Sequence, residues 1–182
     1  MNNIMIDLET LGTGSKARII SIGAVKFDEV GLTSQFYTTN IDPGEYSSKF
    51  DTDHSALEFW MTKASQEARD ALFIGTPVPL EDSLLSLSGW MGDNPIVWGN
   101  GADFDISILG HSYEVIGIKR PWNHWNVRCY RTVKNISINN GQFSNPPQIK
   151  IQGTHHNALD DAKNQANHLI ELSKYWWFNF SG

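Results

Sequence analysis

The sequence predicts an α/β fold, with one mixed central sheet flanked by helices, and three observations predict it. Short alternating apolar runs open the chain, helical spacing then alternates with brief apolar strands, and a long amphipathic helix comes last. Strands that follow one another directly favour an antiparallel meander, whereas strands separated by helices favour parallel pairing.

Taken in order, Ile4, Ile6 and Leu8 alternate in the first strand, Ile19 to Phe27 is rich in Ile and Val, and Phe36 to Ile41 completes a three-strand antiparallel meander. From Asp53 to Phe73 the spacing turns helical. Ala56, Leu57 and Trp60 form one stripe, Ala64, Ala68, Ala71 and Leu72 a second, and Asp53 is placed to cap the start. A connection from Gly75 to Pro79 leads to a helix over Glu81 to Trp90, and Pro95 to Trp98 reads as a short strand. A helix over Phe104 to Ile116, a strand near Asn126 and a short helix after Arg128 follow. The last helix is expected from Ala158 to Tyr175, and its apolar positions Ala158, Ala162, Ala166, Leu169 and Ile170 define a buried stripe. Between the last two helices, Ser137 to His155 is dominated by Asn, Gly, Pro, Gln and Ser, and a loop of that length is expected to be functional or mobile.

The 182 residues, 40% hydrophobic and 19% charged, fit a single domain over 1–182 with a real core. No apolar run approaches the roughly 20 residues of a membrane span, and the first residues carry no basic, cleavable leader, so a cytoplasmic protein is expected. Cys129 is alone, which excludes an internal disulfide, and a small packed thiol is expected. The net charge of -6 excludes simple electrostatic coating of nucleic acid. An acidic protein can still hold a polyanion if clustered carboxylates first collect divalent cations.

Alternation in the first strand sends Ile4, Ile6 and Leu8 to one face and Met5, Asp7 and Glu9 to the other. Two residues of rise separate the two acids by about 6.6 Å, close enough for both to reach one cation. Uncompensated like charges at the end of an apolar strand are costly, so a cation is one explanation and solvent exposure is the other. Asp103 and Asp105 lie where a strand passes into a helix, the usual ligand edge of an open α/β sheet, though each also suits a helix start. Asp161 lies beside the buried stripe of the last helix, Asp160 farther out, and His156 just before the helix. A solvated loop histidine is the plain alternative for His156.

Asp-x-Glu on the first strand, Phe-Asp after a middle strand and His-x-Ala-x-x-Asp at the last helix together resemble the DEDDh exonucleases of the DnaQ-like superfamily. The resemblance covers Ile4 to about Leu172. More narrowly, Asp-Leu-Glu-Thr-Leu-Gly, Leu57-Glu58-Phe59-Trp60 and Gly99 to Asp105 are similar to a branch holding phage exonuclease A and bacterial 3'-5' exoribonuclease-like proteins. The resemblance implies a ribonuclease H-like fold and Asp7, Glu9, Asp105 and Asp161 as ligands of two Mg2+ or Mn2+ ions. It also implies His156 as the general base, and hydrolysis at the 3' end of single-stranded DNA or RNA, or of a 3' overhang, to nucleoside 5'-monophosphates. Many relatives have Asn-x-x-Phe-Asp, but here three residues separate Asn100 from Phe104. Asp105 keeps the Phe-Asp pair and the apolar residue after it, and Asp103 is the alternative.

Thr10, Leu11 and Gly12 are expected to line the terminal nucleotide's pocket, with Asn100 as a further contact. Trp60 or Phe59 would stack on a base, core packing being the alternative. Trp176 and Trp177 would cover the domain or form the contact of a homodimer. The other function classes are a catalytically silent nucleic-acid-binding module and a ribonuclease H-like endonuclease. Binding of two cations separates the first from an exonuclease, and cleavage of a circular strand separates the second.

Overall fold

A computed structural model describes residues 3–44, 48–101, 103–139 and 147–174. Five strands form one mixed sheet in the order β3-β2-β1-β4-β5. The strands are β1 Asn3–Thr10, β2 Ile19–Phe27, β3 Leu32–Asn40, β4 Ile96–Gly99 and β5 Val127–Cys129. β1, β2 and β3 are an antiparallel meander, and β4 and β5 add in parallel. Parallel pairing requires crossovers, and the helices supply them: α1 His54–Glu58, α2 Gln66–Ala71 and α3 Leu80–Met91 precede β4, and α4 Asp105–Ile116 precedes β5. α5 Tyr130–Asn139 and α6 Ala158–Ser173 complete the fold.

Alternation in β1 divides the core. Ile4, Ile6 and Leu8 pack with Leu84, Leu87 and Met91 of α3 and Ile108 and Leu109 of α4. Met5 faces the other way, with Val25, Phe27, Trp98 and the α6 stripe Ala162, Ala166, Leu169 and Ile170. Asp7 and Glu9 share the α6 side, at the end of β1 that β4 does not reach. Pairing between those strands covers Asn3 to Met5 only. That register leaves a cleft at the end of the parallel strands.

Asp53 to Phe73 forms two helices, as its two stripes suggest: α1 passes into a π-helical turn, Phe59–Lys63, and the backbone becomes extended at Ala64 and Ser65 before α2. Ser65 then caps α2 by accepting the amide of Ala68 at 3.1 Å. β3 begins at Leu32 rather than Phe36, because its polar start, Thr33-Ser34-Gln35, lies on an exposed edge strand where no apolar alternation is required. Tyr175, Trp176 and Trp177 lie outside the described residues.

Candidate active site

Gly23 determines where the last helix sits. It is the β2 partner of Asp7, and a Cβ there would lie 2.2 Å from the backbone of Ala158 and Leu159. Only a bare α-carbon lets the first turn of α6 rest on the sheet, and this contact sets Asp161 above β1. Carboxylate oxygens of Asp7, Glu9 and Asp161 consequently lie within 4.8 Å of one another.

Asp105 enters from the α4 start. Its carboxylate accepts the amides of Leu8 at 3.2 Å and Asn100 at 2.8 Å. The Leu8 amide is free because β4 has already ended, so Asp105 completes the strand's hydrogen bonding and faces the other acids. Asp103 is exposed on the turn before it.

These charges are poorly compensated. Burial, then the charges of Asp105, Glu9 and Asp161, hold the Asp7 carboxyl well above the usual carboxylate range. Glu9 is pushed up to about 8 by burial and by Asp161 and Asp105. Burial raises Asp105 to about 6 against the lowering effect of the two amides and of Arg131. Gln165 offers Asp7 partial relief through an amide hydrogen bond of 2.7 Å, and the other end of that amide, Oε1, is buried without a partner among the described residues.

The acids floor a cavity of about 740 Å³. Thr10, Gly12, Trp60 and Asn100 line it, as the sequence suggests. Leu11 does not: its side chain packs against Ile20, Trp60, Ala64 and Ala68. Trp60 is 7% exposed and its indole donates to the Thr10 carbonyl at 2.9 Å, so it is a wall of the cavity rather than an open stacking platform. The half-buried Phe59 beside it presents more ring surface. Cys129 is half-buried, its sulfur accepting the amide of Thr132.

His156 occupies the left-handed region, φ 64, which costs a non-glycine residue about 1–3 kcal/mol. Its amide donates to Asp161 at 2.8 Å, its ring meets the edge of Phe59 at 4.7 Å, and burial and then His155 lower its pKa. His155, given no role by the motif spacing, is the histidine whose ring reaches the acid: its Nδ1 is 3.2 Å from Asp161. The two imidazoles stack at 3.9 Å.

The segment expected to be functional or mobile is hydrogen-bonded to α6 where it is described. Three α6 residues spaced by four, hence on one face, hold residues 147–154. The Asp160 carboxylate accepts the amide of Thr154, the Asn164 amide bonds both backbone groups of Gln152, and His168 Nε2 donates to the Pro147 carbonyl at 2.9 Å. That last bond leaves Nδ1 as the acceptor for the Tyr130 hydroxyl at 2.6 Å. Pro147, Gln148, Ile149 and Ile151 of this strap form a cavity wall. Gly23 and Gln165 were absent from the sequence reading, and the strap was read only as part of a long functional or mobile loop.

A family model, the 3'-5' exoribonuclease Rv2179c-like domain, matches residues 2–173. The nuclease domain of 3'hExo, a DEDDh family member solved with rAMP bound, superposes with a TM-score of 0.63 at 14% identity, covering 95% of this chain and 92% of that one. Pop2p of S. pombe, solved with Mg2+ and Mn2+, superposes with a TM-score of 0.64 at 14% identity, covering 96% of this chain and 84% of that one. At such identity these two likenesses establish the ribonuclease H-like fold. No curated protein matches the sequence.

Proposed function

Since this chain belongs to the family of 3'-5' exoribonuclease Rv2179c-like domains, we propose that it removes nucleoside 5'-monophosphates from the 3' end of single strands with two divalent cations and a histidine base. Family membership makes it a 3'-5' exonuclease of nucleic acid. The observation that carries the finer reading is the convergence of Asp7, Glu9, Asp105 and Asp161 from β1, α4 and α6, with three of the four carboxyls raised.

The donor set fits hard cations. Asp7, Glu9 and Asp161 offer carboxylate oxygens within 4.8 Å of one another, and Asp105 stands close enough to raise the first two; carboxylate oxygen is the preferred donor of magnesium and manganese, and the mutual repulsion would be relieved by positive charge. Held there, such ions would lower the pKa of water and neutralise charge developing on the phosphodiester oxygens. Gln165 orients Asp7, and the Leu8 and Asn100 amides orient Asp105. His156 has its pKa lowered, so its ring is largely neutral at pH 7 and can take the proton of the attacking water. Phe59 and Trp60 on one side and the strap on the other leave a slot for an unpaired terminal nucleotide.

The test is timed digestion of matched 5'-labelled RNA and DNA strands with Mg2+ or Mn2+ and with EDTA. Ladders shortening from the 3' end only with metal, and halted by an inverted 3' nucleotide, are expected. Degradation of strands blocked in that way, or undiminished activity in EDTA, overturns the proposal.

A further inference from the structure

The cavity's charge is arranged asymmetrically. Its floor is acidic and one wall is aromatic, and the Lys or Arg side chains on its lining are Arg131 and Lys134, both from α5. They are one turn apart, on the same face of the helix. Arg131 is anchored by donating to the Asn100 carbonyl at 2.5 Å, close enough to Asp105 to lower its pKa. A guanidinium carries five donors, so this anchor leaves others free. Lys134 is half-buried, has no hydrogen bond or ion pair among the described residues, and lies close enough to His168 to lower that ring's pKa. The two cations therefore form a short row that starts beside the acids and runs outward to the strap's His168 anchor.

A solvated helix face is the plain explanation for a basic pair, but these side chains line a cavity, and one of them is half-buried. We propose that Arg131 and Lys134 form a subsite for the backbone phosphates of nucleotides upstream of the one being removed, so that the strand leaves the acidic floor between α5 and the strap. The subsite rests on the exonuclease reading above. Three residues of helix rise about 4.5 Å, and two long side chains can spread from that separation to successive phosphates. The division also resolves the charge problem of an acidic nuclease: cations brought from solution serve the scissile phosphate, and cations built into α5 serve those behind it. Lys and Arg on phosphates bind without sequence preference, as a processive trimmer of strands requires.

The experiment compares Arg131→Gln, Lys134→Gln and Lys134→Arg with the wild type between about 50 and 200 mM KCl. It measures kcat/KM on a short single strand and on thymidine 5'-(4-nitrophenyl phosphate), which has no upstream phosphate. Each Gln variant should reduce the salt slope on the strand by about 0.7, the value for one phosphate on a single strand. Its loss on the strand should exceed its loss on the ester at least about fivefold, and Lys134→Arg should restore both readouts. A slope kept in both Gln variants, equal losses on strand and ester, or failure of the Arg rescue overturns the subsite. If the wild type releases nothing from the 3' end, the exonuclease reading falls first and takes the subsite with it; normal trimming with unaltered slopes removes the subsite alone.

Discussion

Replacing Glu9 by Gln should stabilise the metal-free protein while abolishing most of its activity. Glu9 is 7% exposed, has no hydrogen-bond partner among the described residues, and has its pKa raised from 4.5 to about 8. A carboxyl raised on folding binds more protons in the folded than in the unfolded state, so its contribution is fully present below pH 4.5 and is lost as pH rises towards 8. By pH 7 the loss is at most about 3 kcal/mol, from 1.36 kcal/mol per pH unit over the interval above 4.5. Glutamine has no proton to lose and keeps the shape. In EDTA at pH 7, Glu9→Gln should therefore melt higher by up to about 6–12 °C, at roughly 2–4 °C per kcal/mol for a chain of this size.

The assay is thermal or urea unfolding of both proteins at pH 4.5, 7 and 8, and the readout is their difference. His156 and His168, whose lowered pKa values make stability rise with pH, then cancel. The difference should grow with pH. Saturating Mn2+ should shrink it, because a cation at one hundred times its Kd adds about 2.7 kcal/mol to the protein that binds it and less to one missing a ligand. A Glu9→Gln protein no more stable than wild type at pH 7 in EDTA would refute the account of an uncompensated acid, and would mean that the carboxylate is held by structure instead.

Asp7→Ala should lose more than about tenfold in activity, or 1.4 kcal/mol of barrier, and the two-cation account fails if the loss is smaller. Gly23→Ala places a methyl group on the α6 backbone, so it should cost about 1–3 kcal/mol by overpacking and far more in turnover than in stability; normal kinetics would show that α6 need not touch the sheet there. Asn164→Ala frees two backbone groups of Gln152, and limited proteolysis should then cut between residues 147 and 154, whereas continued protection would show that the strap is held by other means. His156→Ala should reduce turnover by about 10²- to 10⁴-fold with cation binding kept, as expected for a positioned base. His155→Ala should lose less than tenfold and, with the ring removed from Asp161, bind Mn2+ at least as tightly in calorimetry; the opposite ranking would exchange their roles.

What the sequence revealed and what it concealed follow from the range of the interactions. Asp7 and Glu9 were legible because strand alternation is local, and Asp161 because a helix's buried stripe orders its neighbours. The meander followed from strands with no helix between them. The division of Asp53 to Phe73 into two helices was legible in its two stripes, whereas the extended dipeptide Ala64-Ser65 that separates them is set by local backbone geometry with no periodic signal. Gly23 looked like an unremarkable strand glycine, since its role depends on Ala158, 135 positions later. Asp103 and Asp105 could not be separated from spacing alone. The end of β4 distinguishes their surroundings, since it leaves the amide of Leu8 to Asp105.

The arrangement of α6 explains why the strap is ordered although its composition suggests a loop. Three faces of that helix perform three tasks: Ala162, Ala166 and Leu169 lie in the core, Asp161 and Gln165 face the acids, and Asp160, Asn164 and His168 hold the strap. A segment poor in apolar residues cannot order itself by burial, but backbone groups bonded to side chains already fixed on a packed helix are ordered at little further entropic cost. Asp161 and the strap are consequently positioned by the same helix. The His155–His156 pair is the strained element beside Asp161: His156 has a positive φ, and the exposed His155 imidazole lies 3.2 Å from that carboxylate. Ring nitrogens of both histidines and an oxygen of Asp161 lie within 4.8 Å of one another, so a cation reaching that carboxylate would meet both imidazoles as well.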